Sequence, residues 1–360
     1  MSGRLTLSER SESKGSTRAK VLLALTCLVL IAGALVWWKF LRLSPLPEPG
    51  AFDRADNGLW MRRHWIHGGA PDEERAELAA SLEAHGIRRI HPFLGPMDPD
   101  GKPGWRDDGV IRHYDPVRAR AFFDEMHRLS PRLKIVPWTG GNLHQDVHLI
   151  DAKQRSGFAA HMAAIVNLGA DGVQLNVEPM PSGSEGYLDL LRAVKSAIGP
   201  DKILSIAAYP PTTPLHPYED VHWTLAFTAE VCAIADEMTF MGYDTAQRLP
   251  ALYENMVATW TADLARTLPP HCEWSMGVPA YEDDEPWHRP DVETIGHGID
   301  GVRRGLLAHG SVPPKFTGIA IYASWTIDDD EWAAFDRQWR GVDAVTVPAP
   351  DRLPRTPTSP

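Results

Sequence analysis

Hydrophobic and polar positions divide the chain into three stretches. Val21 to Trp38 (VLLALTCLVLIAGALVWW) runs 18 residues without a charge, close to the roughly 20 needed to cross the hydrocarbon core of a bilayer. Between residues 59 and 341, short β-branched or aromatic runs alternate with longer amphipathic ones, which argues for βα units on a parallel sheet. Beyond 342 the chain turns Pro-rich (VDAVTVPAPDRLPRTPTSP) and carries too little apolar surface to order itself.

The short runs predict strands at Leu59–Ile66, Ile87–Leu94, Leu133–Trp138, Gly172–Glu178, Ile203–Tyr209, Glu237–Tyr243, Trp274–Tyr281 and Thr317–Trp325. The amphipathic stretches between them predict helices over Asp72–His85, Pro116–Leu129, Ala152–Leu168, Glu185–Ile198, Thr224–Ala235, Pro250–Leu268, Val292–His309 and Asp329–Trp339. Gly86, Gly169 and Gly199 sit just past helix ends, and Asp115-Pro116 stands at a helix start. Eight strands, each followed by a helix, are the arithmetic of a (β/α)8 TIM barrel. A doubly wound open sheet is the alternative, but no Gly-rich phosphate loop follows the first strand.

Charge sharpens the picture at the N-terminus. Residues 1–42 hold seven Lys or Arg against two Glu, leaving 29 basic and 45 acidic residues beyond, a balance of −16. A nucleic-acid partner needs the opposite sign and is discounted. Arg4, Arg10, Lys14, Arg18 and Lys20 precede the apolar run while only Lys39 and Arg42 follow closely, so the positive-inside bias places the N-terminus in the cytoplasm. The expected organisation is a basic cytoplasmic segment (1–20), a single-pass transmembrane signal anchor (21–38), a linker (39–58) containing the Pro-rich run SPLPEP, a barrel on the non-cytoplasmic side (59–341) and a disordered tail (342–360). Secretion after cleavage near Ala32-Gly33-Ala34 is the competing reading. Of three cysteines, Cys27 lies in the apolar run; Cys232 and Cys272 could pair at most once, and two buried thiols are the default expectation.

In a barrel the active face is formed where the βα loops meet, at the C-terminal ends of the strands. The fourth predicted strand reads DGVQLNVE over 171–178, and alternation puts Gln174, Asn176 and Glu178 on its inner side while Val173, Leu175 and Val177 face the helices. Three polar side chains pointing into a barrel are costly unless hydrogen-bonded, which marks them as used, with Glu178 at the open end.

This strand resembles the DGxDxDxE signature of glycoside hydrolase family 18, the chitinases and related endo-β-N-acetylglucosaminidases, and an Asn before the Glu is similar to the DGxxxNxE strand of family 85. Further resemblances follow in order: Trp138-Thr139-Gly140-Gly141 to the SxGG turn, Met241-Gly242-Tyr243-Asp244 to MxYD, Gly277-Val278-Pro279-Ala280-Tyr281 to GxPxY, and Trp325-Thr326-Ile327-Asp328 to WxxD. The resemblance covers about residues 130–330. It implies hydrolysis of an N-acetylhexosamine-containing glycan in which the sugar's own acetamido oxygen attacks the anomeric carbon, an exception to the two-carboxylate scheme. By that resemblance Glu178 is the general acid and base, Asn176 orients the acetamido group, Tyr243 donates to its carbonyl, and Asp244 contacts the sugar or polarises the site. Gln174, Trp138, Tyr281, Tyr322 and Trp325 would bind substrate, with Trp325, Trp138 or Tyr322 as the aromatic floor. Two signature aspartates are Gln174 and Asn176 here, which keeps a non-catalytic chitinase-like lectin open, as well as a two-carboxylate glycosidase pairing Glu178 with Asp244 or Asp283. No metal or organic cofactor is implied. His144 and His148 stand four apart without an obvious third ligand and read as loop histidines, and Glu282-Asp283-Asp284-Glu285 reads as a solvated loop.

Overall fold

The computed structural model describes residues 8–68, 70–281 and 285–345, with side chains from residue 19 onward. Two compact units divide at Ser44/Pro45. In the first, helix α1 (Ser8–Val36) runs into one wider turn, Trp37–Leu41, closed by Arg42 N donating to the Trp37 carbonyl at 2.9 Å. Ala19–Leu41 is apolar enough to cross a membrane, and its 23 residues span about 34 Å as a helix.

The second unit is a closed barrel. Strands β1 (Asn57–Met61), β2 (Ile87–Pro96), β5 (Lys134–Ile135) with β6 (Trp138–Asn142), β7 (Gly172–Glu178), β8 (Ile203–Ala208), β9 (Glu237–Met241), β10 (Glu273–Pro279) and β11 (Phe316–Tyr322) pair in parallel, and β11 returns to β1. A small antiparallel hairpin, β3 (Trp105–Asp107) and β4 (Val110–Arg112), decorates the loop after β2. Helices α2 (His64–His67), α3 (Asp72–Ala84), α4 (Pro116–Leu129), α5 (Ala152–Asn167), α6 (Glu185–Ile198), α7 (Leu225–Cys232), α8 (Pro250–Thr267), α9 (Ile295–His309) and α10 (Asp329–Ala334) follow the strands around the outside.

Local chemistry fixes the helix starts. Asp115 accepts from Val117 N at 2.8 Å with Pro116 as the first helical residue, Asp151 and Ser184 cap α5 and α6, and Asp328 with Glu331 forms a reciprocal capping box on α10. Between helices and strands lies the main core, with Phe122, Phe158, Leu191, Trp260 and Trp274 fully buried; each such side chain contributes about 1.5–3 kcal/mol. The barrel floor is polar: the Arg89 guanidinium meets Glu237, Glu273 (2.9 Å) and Asp56 (3.3 Å). Loss of one partner would strand a buried charge.

Several boundaries differ from those expected. The first strand stops at Met61, and the apolar pair Trp65 and Ile66 is buried on α2 instead; a short apolar run does not distinguish strand from helix by periodicity. The third strand is broken at Pro137, which has no N–H to continue the ladder. Residues 45–56 are largely exposed but tied to the barrel at several points: the Pro47 carbonyl accepts from Arg303, Gly50 N donates to the Trp339 carbonyl at 3.1 Å, and Phe52 packs on the core. Cys232 and Cys272 form a disulfide, with Cα atoms 5.8 Å apart, in place of two free thiols; the end of α7 and the approach to β10 bring them together, a proximity that spacing alone does not reveal. Residues 346–360 of the expected tail and 282–284 of the acidic run lie outside the described residues.

Candidate active site

Strand β7 occupies the expected residues, Gly172–Glu178, and its position against β6 depends on a glycine. A Cβ on Gly140 would lie 1.6 Å from the Asn176 carbonyl oxygen, so only glycine allows the two backbones this close, in the register that sets Gly140 beside Asn176 and Asn142 beside Glu178. Beneath the mouth, Gln174 is fully buried. Its Oε1 accepts from Trp60 Nε1 at 2.7 Å and its Nε2 donates to Ser205 Oγ (3.1 Å), which donates to Glu237 Oε1 (2.9 Å) on the floor. Gln174 thus holds Trp60 from below, with both ends of its amide engaged by protein partners.

Glu178, at the open end of β7, lines a cavity of about 480 Å³ with Tyr209, Met241, Tyr243 and Asp244. Loss of hydration pushes its carboxyl up to about 7, helped by the nearby negative charge of Asp244 and opposed by a hydrogen bond from Asn176. Asp244 is likewise pushed up to about 6 by desolvation of its carboxyl, against a hydrogen bond from the Tyr281 hydroxyl. The Tyr281 ring rests on His288, with centroids 3.8 Å apart. Behind Asp244, Thr245 is fastened to Glu293, with Oγ1 donating to Oε1 at 2.8 Å. Two carboxyl groups on one cavity wall, both pushed above the ordinary carboxylate range, fit acid and base chemistry around pH 7.

Polar atoms without partners mark the same end of the barrel. Among the described residues Asn176 Oδ1 and Trp138 Nε1 are buried with no hydrogen bond, while the Tyr243 hydroxyl, on a half-buried residue of the cavity wall, makes none either. Burial holds the Tyr243 phenol well above its ordinary value, so it remains a proton donor. A buried donor or acceptor left empty costs about 1–3 kcal/mol, which makes these atoms candidates for ligand contact.

A cluster of aromatic rings gathers around Tyr243. Tyr322 stacks on Tyr243 with centroids 5.2 Å apart, and Trp60 and Trp325 stand edge-on to Tyr322 at 5.7 and 5.4 Å. Trp138 stacks on Phe93 at 4.0 Å and borders this cluster, while Arg62 lies over Trp325. Of the residues expected from sequence, Glu178, Tyr243 and Asp244 share the cavity wall; Tyr281 reaches it through Asp244; Trp138, Tyr322 and Trp325 form the adjoining aromatic side. Sequence reasoning missed Trp60, Tyr209, His216, His222, Trp260 and Trp287. Trp60 and Tyr209 lie at or beside strand ends, where an inward aromatic could have been flagged. The others sit on loops or a helix, where no local pattern signals proximity to Glu178.

No protein-family model matches the sequence, and no curated protein matches it. Solved structures do. A GH18 chitinase from Pseudoalteromonas aurantia shares 15% identity over 79% of this chain and 98% of that one, with a TM-score of 0.52. The spore cortex-lytic enzyme SleL of Bacillus cereus shares 12% over 79% and 74%, at 0.52. The xylanase and α-amylase inhibitor protein XAIP-II from Scadoxus multiflorus shares 14% over 79% and 98%, at 0.50. At identities this low the likeness shows a common fold, a (β/α)8 barrel, and leaves the chemistry to the side chains.

Proposed function

We propose that the barrel is a glycoside hydrolase that cleaves an N-acetylhexosamine-containing glycan with retention of configuration. The carrying observation is the pairing of Glu178, a carboxyl poised near pH 7 at the cavity wall, with an unpartnered acceptor, Asn176 Oδ1, and an unpartnered donor, the Tyr243 hydroxyl. A 2-acetamido group supplies the complement of both, its N–H for Asn176 and its C=O for Tyr243.

In this reading the acetamido oxygen attacks the anomeric carbon as the glycosidic C–O bond breaks, and the Glu178 proton passes to the leaving oxygen. Glu178, now a carboxylate, takes a proton from the water that opens the cyclised sugar from the face the leaving group occupied. Two inversions give net retention. Asn176 can orient the amide but adds no negative charge, so the second carboxylate of the site is Asp244, acting through the field at Glu178 and through the Tyr281 hydroxyl. Trp325, Tyr322 and Trp138 offer flat apolar faces for the sugar ring.

The oxidised Cys232–Cys272 pair suits a compartment outside the cytoplasm, which supports an anchored barrel on the non-cytoplasmic side. A glycan-binding role without turnover draws support from Gln174, an amide fully used in packing where the family 18 pattern carries a carboxylate, and from a protein of this fold whose name is that of an inhibitor. Incubation of the full chain in detergent with N-acetylglucosamine oligomers separates the two. Hydrolysis releases reducing ends from the wild type and, in Glu178→Gln, at a rate at least ~10²-fold lower; binding by the wild type with no reducing ends released favours the second reading.

A further inference from the structure

The cavity beside Glu178 holds a pair of histidines that the reaction above does not use. His216 and His222 lie on the loop between β8 and α7, and both line the cavity. That loop is pinned at several points: Trp260 Nε1 donates to the Pro211 carbonyl (2.6 Å), Trp223 Nε1 to the Met180 carbonyl (2.8 Å), and Thr213 and His216 close a tight turn through their backbones.

Hydrogen bonding fixes the protons of both rings. His222 Nδ1 lies 2.7 Å from the Pro210 carbonyl, which can only accept, so Nδ1 carries the hydrogen and Nε2 a lone pair. His216 Nδ1 lies 2.6 Å from that Nε2 and is therefore the donor. By elimination His216 Nε2 is also a lone pair, and it has no partner among the described residues. Burial lowers the affinity of both rings for protons, that of His216 to about 4, so the arrangement persists as a neutral pair. Among the described residues no Lys or Arg lines the cavity, whose other walls include Val221, Met241, Trp260 and Trp287. An anionic group would meet two carboxyl groups and no cation there.

We propose that the Pro210–His222–His216 chain is a locked hydrogen-bond acceptor that reads a hydroxyl or amide N–H of a neutral sugar unit lodged against Glu178, making His216 and His222 specificity determinants of the site. The inference rests on the glycan reading above. It adds a requirement that the reaction itself does not impose: the bound unit must present a donor to His216 Nε2.

The test uses the full chain in micelles with ¹⁵N-labelled histidine. In the ligand-free protein both rings show the tautomer protonated at Nδ1, and titration with tetra-N-acetylchitotetraose moves the His216 Nε2 resonance in the direction of an accepted hydrogen bond. Calorimetry in a Glu178→Gln background, where turnover is suppressed, gives the affinity. His216→Phe weakens the tetramer by roughly 5–10-fold, the worth of one neutral hydrogen bond, and His216→Gln, which restores an acceptor, recovers most of it. A His216 ring protonated at Nε2, or tetramer binding indifferent to His216→Phe, overturns the inference and leaves the glycan reading standing. Failure of the wild type itself to bind the tetramer overturns both.

Discussion

Burial of Glu178 makes a prediction that needs no substrate. Its carboxyl titrates near 7 in the folded barrel against 4.5 when hydrated, so folding disfavours its ionised form. Below pH 4.5 the group is protonated in both states and the burial carries no electrostatic cost. As pH rises from 4.5 to 7 the unfolded chain releases the proton first, and the stability associated with keeping it is lost. The gap, at 1.36 kcal/mol per pH unit, sets a ceiling of ~3 kcal/mol. Glu178→Gln keeps the shape and removes the charge. The variant therefore matches the wild type near pH 4 and exceeds it at pH 8; with an unfolding entropy near 2.1 cal/mol/K per residue over roughly 300 residues, the difference is about 5 °C in Tm. Differential scanning of the two proteins in matched micelles between pH 4 and 9 reads it directly. Melting curves that coincide at every pH would refute the claim that Glu178 is held in a poorly hydrated, charge-averse setting.

Other consequences follow from the same geometry. Asp244→Asn removes the charge that helps hold the Glu178 proton, so the alkaline limb of kcat/KM moves to lower pH; an unmoved or raised limb contradicts the coupling. Gly140→Ala drives a methyl into the Asn176 carbonyl and lowers the urea midpoint by the equivalent of at least about 2 kcal/mol, with no comparable loss at exposed Gly183→Ala, where a Cβ meets nothing but the backbone sits at φ +76° and the cost is near 1 kcal/mol. Reduction of the Cys232–Cys272 bond, which closes a loop spanning 40 residues, removes about 4 kcal/mol on the chain-entropy account; an unchanged Tm under dithiothreitol contradicts the pairing.

How much of this the sequence foretells depends on the range of the interaction concerned. Strand β7 is legible to the residue because alternation, flanking Asp171-Gly172 and terminal Glu178 all act within one strand. The same local logic places Tyr243 and Asp244 at the end of β9. It stops short at Gln174, where the inward orientation is legible but not the hydrogen bonds to Trp60 and Ser205, residues 114 and 31 positions away. It fails for the disulfide and for the His216–His222 pair, whose meaning arises only when a loop is folded back against β8 and Trp260. The early end of the first strand and the break at Pro137 are boundary effects, in which a short apolar segment or a missing N–H decides what periodicity leaves open.

The central claim is that Asn176, Tyr243 and Glu178 jointly hold and protonate an acetamido sugar. A crystal structure of the protein soaked with a thiazoline analogue of the cyclised sugar tests all three roles together. The account predicts the bicyclic ring within hydrogen-bond distance of Asn176 and the Tyr243 hydroxyl, with the Glu178 carboxyl over the leaving-group face. An analogue bound elsewhere on the barrel, or seated in the cavity with those two polar atoms still unpartnered, would contradict it.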